Sequence, residues 1–289
     1  MSWRTVVISN RCKLDLSMGY MVVRGGETVR VLLDEIAILM IENPAVSLTG
    51  CLLAELSRRK IRVIFCDEKR SPYAELQPYE GCHDCSRKIK EQTGWTEEQK
   101  LSAWTEIVTE KICNQAKILV EYGHEEEAAM LTGYMSEMQY GDSTNREGHA
   151  AKVYFNALFG KSFSRGQDNP VNAALNYGYG LILSAFNREV TLNGYLTHIG
   201  LCHDNMFNPY NLSCDLMEPF RALVDRVVLD LQPKTFERDE KRALLSVLHA
   251  PIYISGTEQT VLNAIKLYTR SVFEAINNSN PDRIHFAEI

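Results

Sequence analysis

Residues 20–41 read YMVVRGGETVRVLLDEIAILMI. Three apolar runs, Tyr20-Met21-Val22-Val23, Val29-Arg30-Val31-Leu32-Leu33 and Ile36-Ala37-Ile38-Leu39-Met40-Ile41, are punctuated by Gly25-Gly26 and Asp34-Glu35. The runs are too short for stable helices and mostly rich in β-branched residues, so the stretch predicts strands joined by turns. Working outward, Val6-Val7-Ile8 and Ile61-Arg62-Val63-Ile64-Phe65 carry the same signature. Between them, about Thr49 to Arg59, Leu52, Leu53 and Leu56 form the apolar face of a short predicted helix. The strands are too many and too closely spaced for βαβ units, and a small β-sandwich is expected.

The pattern changes over residues 77–95. Pro78, Gly81, the Cys82-His83-Asp84-Cys85 stretch and Gly94 break the periodicity, and basic residues become more frequent. Beyond that boundary the spacing predicts helices at about 96–122, 124–139, 145–159, 172–193, 216–231, 237–249 and 258–277. Asn172 suits the N-cap of the fourth and Gly194 its C′ position. The expected fold class is α+β. A small N-terminal β-sandwich domain (1–76) and a linker (77–95) precede a larger all-α C-terminal domain (96–289).

The chain has 289 residues, 45% hydrophobic and 24% charged, a composition that excludes a disordered protein and supports one large or two medium domains. No stretch approaches the roughly 20 apolar residues of a membrane span. Met1 to Asn10 lacks the apolar core and cleavage site of a secretory signal, so a cytoplasmic protein is expected. Eight cysteines, several inside apolar runs, fit reduced thiols better than a disulfide framework. The net charge of −6 argues weakly against nucleic acid, but its distribution is uneven. Arg58 to Arg70 holds six basic and two acidic residues, and Arg146 to Arg165 four basic and one acidic. Either run alone reads as solvated surface; together they point to a phosphate-binding face.

Four residues stand out as candidate metal ligands: Glu147, His203, Asp215 and Glu218. Thr144-Asn145-Arg146-Glu147 fits a helix start in which the glutamate reaches back to a threonine cap. Yet Glu147 also shares a face with Ala150, Ala151, Tyr154 and Leu158, and a carboxylate aimed inward needs a counter-charge. Asp215 and Glu218 lie three apart, on one face of a helical turn, as caps or as cation ligands; position alone does not choose. His203 sits in a loop with the amides and aromatics of Asp204 to Asn211. An imidazole with carboxylates suits manganese or magnesium. The Cys82-His83-Asp84-Cys85 stretch has no second Cys or His pair at zinc-ribbon spacing and reads as linker. The chain carries no Walker motif, dinucleotide fingerprint or nucleophile elbow.

Asn145-Arg146-Glu147-Gly148-His149-Ala150-Ala151, Asn172 to Tyr179, His203, and Asp215-Leu216-Met217-Glu218-Pro219-Phe220-Arg221 together resemble the CRISPR adaptation integrase, the endonuclease-like subunit of spacer acquisition, with wording nearest its type II-A branch. The resemblance implies a β-sandwich that dimerises and a helical domain that holds a Mg²⁺ or Mn²⁺ ion. It maps the ligand and catalytic roles onto Glu147, His203 and Glu218, with Asp215 in support; the family's second acidic ligand is frequently aspartate, so glutamate here is a departure. It implies a metal-dependent DNA integrase and endonuclease (hydrolase-type) that joins 3′-hydroxyl ends of short foreign DNA to repeat boundaries by transesterification. The expected partners are duplex DNA, a second copy, and a small ferredoxin-fold subunit in an assembly of four integrase and two partner chains. A CRISPR effector nuclease and a DNA-end-binding protein are further expected partners. Arg146, Lys152, Arg165, Arg188 and Arg221 are candidate phosphate contacts, each equally open to a reading as an ordinary surface ion pair. The alternatives are a metal-dependent nuclease without joining activity and a non-catalytic DNA-binding scaffold.

Overall fold

A computed structural model describes residues 4–68, 70, 72–76 and 82–289. Met1 to Trp3 of the N-terminal stretch, and Pro78 and Gly81 of the expected linker, lie outside the described residues. The chain divides into two compact units, Met1–His83 and Asp84–Ile289.

The first unit contains β1 (Arg4–Ile8), β2 (Lys13–Ser17), β3 (Tyr20–Arg24), β4 (Thr28–Leu32), β5 (Ile36–Ile41), β6 (Ser47–Leu48), α1 (Gly50–Arg58), β7 (Arg62–Cys66) and β8 (Pro72–Leu76). They form two four-stranded sheets, ordered β1-β5-β7-β8 and β4-β3-β2-β6. Met18 and Gly19, both at positive φ, make the tight turn that pairs β2 with β3. Leu14, Met21 and Val31 from one sheet meet Ile8, Leu39, Ile41 and Val63 from the other, and Leu52 and Leu56 of α1 join the same core. The β-rich start and the pairing of two sheets are as expected. One feature differs: β1, β5 and β7 run parallel, and the chain crosses from β5 to β7 through β6 and α1. The residues of β5 explain it. All six are buried, as in a strand covered on both faces.

The basic run at 58–70 offers less free charge than its composition implies. Arg58 and Arg59 both pair with Glu55, Arg59 also reaches Asp34, and Arg62 forms a buried pair with Glu75 at 2.5 Å.

The second unit contains α2 (Cys85–Thr93), α3 (Glu97–Glu121), α4 (Glu125–Ser136), α5 (Arg146–Phe159), α6 (Pro170–Leu192), α7 (Asn211–Met217), α8 (Arg221–Leu231), α9 (Arg238–Ser246), β9 (Pro251–Ile254), β10 (Thr257–Thr260), α10 (Val261–Asn277) and β11 (Ala287–Glu288). Two long helices organise it. α3 packs on α4, α5, α8 and α10, and α6 on α7, α8, α9 and α10. At Gly178 an added Cβ would collide with Val224, so α6 and α8 approach closely there. No helix among the described residues is long and apolar enough to cross a membrane.

Three expectations are corrected. The unit is mostly helical, not all-α: β9 and β10 pair through a turn at Ser255-Gly256, both at positive φ, and β11 adds to β9. Residues 85–93 of the expected linker are helical and belong to the second unit. Gln92 is buried there, donating to the carbonyls of Leu196 (2.9 Å) and Ile199 (3.1 Å) and accepting from Leu196 N–H (2.8 Å). Trp95 stacks on Phe273 and donates to Asn277. These are long-range partners that a polar local sequence does not announce. Finally, α6 is capped by Asn169 with Pro170 at its first turn; Asn172 lies one turn in and donates its N–H to that cap. Gly194, at φ +86°, follows the C-cap as expected.

Candidate active site

Helix α5 begins differently from the threonine-capped reading. Its N-cap is Asn145 in the left-handed region, and the carboxylate of Asp142 accepts from the N–H groups of Arg146 (2.6 Å) and Glu147 (3.0 Å). The Thr144 hydroxyl has no hydrogen-bond partner among the described residues. With the cap supplied by Asp142, the Glu147 side chain extends inward, and its Oε1 lies 2.5 Å from Lys111 Nζ of α3.

Asp215 and Glu218 also part from the capping alternative. Asp215 sits inside α7 with no exposed surface, and Glu218 opens a single 3₁₀ turn, Glu218–Phe220, that links α7 to α8. Glu218, only 3% exposed, accepts from Arg221 Nε at 2.9 Å. Its other oxygen, Oε2, lies 2.5 Å from Lys111 Nζ but receives no aligned hydrogen bond. Lys111 is therefore a cation held between the two glutamates. Burial alone would lower its pKa, but Glu218 and Glu147 raise it. Burial opposes the charge of Glu218 as well, yet Arg221 and Lys111 outweigh it and hold that carboxyl down at about 2.

Asp215 builds the loop that carries His203. Its carboxylate accepts from the N–H groups of Leu201 (2.6 Å), Cys202 (3.2 Å) and His203 (3.2 Å), and from His203 Nδ1 at 2.5 Å. Burial pushes the Asp215 carboxyl up against these donors, while its bond to the ring raises the pKa of His203. In the neutral ring that gives Nδ1–H to Asp215, the Nε2 lone pair is left for another partner. A side chain at Gly200 would collide with the His203 carbonyl and come within 2.7 Å of Asp215 Oδ2, so this wrap requires glycine. The Gln92 bonds to Leu196 and Ile199 anchor the loop from behind, and Trp104 of α3 meets the His203 ring edge-on.

Glu147, His203 and Glu218 line one open cleft of about 260 Å³ with Lys111, Gln115, Arg165, Tyr179, Arg221 and Asp225. A larger cleft of about 350 Å³, beside the first turn of α3, has Glu98 as its single charged lining group, so the chemistry is better placed in the smaller one. The ligand-type atoms of the three candidates do not all lie within 4.8 Å of one another, as those of the adjacent residues Cys82, His83 and Asp84 do.

Of the basic candidates, Arg165 and Arg221 line the cleft, both over the Tyr179 ring, and Arg165 donates to Asn172 and Asn176. Arg146 pairs with Glu137, Arg188 with Glu189, and Lys152 is exposed on α5; none of these three lines the cleft. Lys111, Gln115, Tyr179, Asp225 and the cap Asp142 are not among the residues that the sequence pattern singles out as site candidates. Lys111 and Gln115 fall on the apolar stripe of α3 with Ile107, Val108, Ile112 and Leu119, where a charged residue is itself a signal. Asp225, fully enclosed, takes hydrogen bonds from Tyr154 (3.0 Å) and Tyr179, which shape the cleft floor.

A helical unit that aims two carboxylates and an imidazole nitrogen into one cleft, beside two guanidinium groups, is suited to cation-assisted chemistry on phosphate esters. The family model described as CRISPR associated protein Cas1 matches residues 5–254. The chain is 36% identical over its whole length, and 97% of the relative's, to a protein of Neisseria meningitidis serogroup C named CRISPR-associated endonuclease Cas1. A protein from Francisella tularensis subsp. novicida named CRISPR-associated endonuclease Cas1 1 is 25% identical over 90% of this chain and 89% of its own. The chain belongs to the Cas1 family. Its fold is similar to a CAS1 protein from Thermotoga maritima (TM-score 0.78, 16% identity, covering 94% of this chain and 97% of that one). It is also similar to a casposase bound to integration product (TM-score 0.76, 16% identity, covering 97% and 92%).

Proposed function

We propose that this chain is a divalent-metal-dependent DNA integrase and endonuclease of CRISPR adaptation. It joins the 3′-hydroxyl ends of short foreign duplexes to the repeat boundaries of a host array. The observation that carries the reading is the convergence of Glu147, His203 and Glu218, from three distant segments, on one cleft with a cation between the two carboxylates. The relatives named endonuclease and the fold shared with a casposase bound to integration product support it.

The donor set fits magnesium or manganese: two carboxylates and one imidazole nitrogen, with a cation already seated between the two carboxylates. Glu147, His203 Nε2 and Glu218 would hold the ion, which when bound supplies charge to activate a hydroxyl and neutralise a phosphoryl oxygen. Asp215 keeps the His203 ring in the tautomer and orientation that free Nε2. Arg165 and Arg221, stacked on Tyr179, present N–H groups where the phosphate enters and fix its register. In the reaction the 3′ oxygen of the foreign strand forms a P–O bond as the P–O3′ bond of the host strand breaks. The attacking hydroxyl loses its proton and the departing 3′ oxygen gains one. No covalent enzyme intermediate is needed, so positioning and charge dominate.

In this reading the β unit pairs two copies, and a small ferredoxin-fold subunit joins four such chains with two of its own around duplex DNA in the cytoplasm. The fold likeness to a chain of a structure titled Cas6-RT-Cas1--Cas2 complex (TM-score 0.76, 16% identity, covering 97% of this chain and 36% of that one) supports such a partner. An effector nuclease and a DNA-end-binding protein would supply and trim the fragment. Glu147→Gln tests the assignment. It should abolish joining of a short duplex to supercoiled target while circular dichroism and duplex binding are unchanged. Full joining by that variant refutes the ligand assignment, and degradation without joined product by the wild type favours a plain nuclease.

A further inference from the structure

The side chain at the centre of the site belongs to neither the carboxylates nor the imidazole. Lys111 Nζ lies 2.5 Å from Glu147 Oε1 and 2.5 Å from Glu218 Oε2, with the lysine side chain 10% exposed. An ammonium so enclosed needs its counter-charges, and here they are the two groups that would ligate the ion. We propose that Lys111 is the resident cation of this cleft, and that it yields its place to the divalent ion by moving to Gln115.

The exchange follows from charge and from the unused acceptors. An ion held by Glu147 and Glu218 takes the lone pairs that Lys111 uses, and two cations cannot share that space at low dielectric. The ammonium needs a new acceptor within reach of its α3 anchor. Asp225 is held by Tyr154 and Tyr179, and the Asn114 carbonyl oxygen already accepts from Lys117 at 3.0 Å. Gln115 is buried, lines the same cleft, and its Oε1 has no hydrogen-bond partner among the described residues. It is one helical turn from Lys111, the spacing at which side chains on a helix meet. The lysine thus keeps the glutamates charged and in place before the ion arrives, and lowers the ion's apparent affinity by competing with it. Gln115 offsets part of that competition.

This rests on the metal-site reading above, and the test separates the two. Mn²⁺ affinity of EDTA-treated protein is measured at fixed pH, by calorimetry and by the electron paramagnetic resonance of free Mn²⁺. The proteins are wild type, Lys111→Met, Gln115→Leu, the double variant and Glu147→Gln. Loss of the competitor should tighten Mn²⁺ binding of Lys111→Met about ten- to a hundredfold, the range expected for a charged hydrogen-bonded partner. Gln115→Leu should weaken binding about tenfold in the wild-type background and leave it unchanged in the Lys111→Met background, because no ammonium then needs a home. Unchanged or weaker binding by Lys111→Met overturns the proposal, as does an equal loss from Gln115→Leu in both backgrounds. If Lys111→Met does not fold, the wild type soaked with Mn²⁺ decides by crystallography. Lys111 Nζ on Gln115 Oε1 supports the exchange; Nζ still between the glutamates refutes it. Failure of the wild type to bind Mn²⁺ would sink the metal reading itself. Binding that Glu147→Gln loses and Lys111→Met leaves unaltered would sink the exchange alone.

Discussion

Glu218→Gln removes the charge at the most enclosed point of the cleft. Burial disfavours the Glu218 carboxylate, yet Arg221 and Lys111 hold its carboxyl at about 2 against the ordinary 4.5. At about 1.4 kcal/mol per pKa unit, that difference corresponds to about 3 kcal/mol of stability at neutral pH. The figure falls in the range of about 3–5 kcal/mol typical of breaking one partner out of a buried ion pair. The sign is fixed by the direction of the shift. A depressed acid contributes fully above its unfolded value of 4.5, and the contribution is lost as pH falls from there through 2. Guanidinium denaturation in EDTA, followed by the helical signal in circular dichroism, reports mainly on the second unit, which holds most of the helices. Glu218→Gln should be about 3 kcal/mol less stable than wild type at pH 7, and the gap should narrow steadily below pH 4.5. A variant as stable as wild type at pH 7, or a gap that stays constant down to pH 3, refutes the reasoning. Either result would mean that Arg221 and Lys111 do not depend on this carboxylate.

Asp225 should behave in the opposite sense. Burial raises its carboxyl to about 6 against bonds from Tyr179 and Tyr154, so the native state loses stability as pH rises from 3.8 through 6. Asp225→Asn removes that loss, and its stability relative to wild type should improve by up to about 3 kcal/mol between pH 4 and 7 in paired denaturation curves. Gly200→Ala forces a methyl onto the His203 carbonyl and Asp215. It should cost about 1–3 kcal/mol by thermal melting and reduce joining far more than duplex binding. Met206 and Phe207, 85% and 86% exposed in the loop that starts at His203, should leave stability unchanged within about 0.5 kcal/mol when both become serine, while joining falls. Arg165→Ala, at a guanidinium that lines the cleft, should lower the slope of log affinity for duplex DNA against log salt by about 1.

The sequence displays the candidate site unevenly. Glu147 and His203 stand out as a carboxylate on an apolar stripe and an imidazole in an amide-rich loop, but that pattern leaves a capping or structural role open, and the ligand roles are implied by the family resemblance. Their partners do not stand out. Lys111 reaches Glu147 across 36 positions and Gln92 holds Leu196 across 104, and such pairings leave no local trace. The Thr144 and Asn172 caps were both displaced by residues two or three positions earlier, Asp142 and Asn169, which offer the same oxygen at a slightly different geometry. The hairpin of β9 and β10 was hidden by its length, since four-residue strands resemble the end of a helix stripe.

Periodicity and punctuation by themselves determined a β-rich start, a helical remainder and the positions of most helices, because those follow from local backbone preference and from which face is apolar. Tertiary structure alone decided that β5 joins two parallel neighbours, that residues 85–95 are part of the helical unit, and that Asp215 holds a loop while Glu218 shares Lys111 with Glu147. The reason is the range of the forces involved. A strand or helix is chosen by neighbours a few residues away, whereas a buried charge is stable only where distant segments bring it an opposite one.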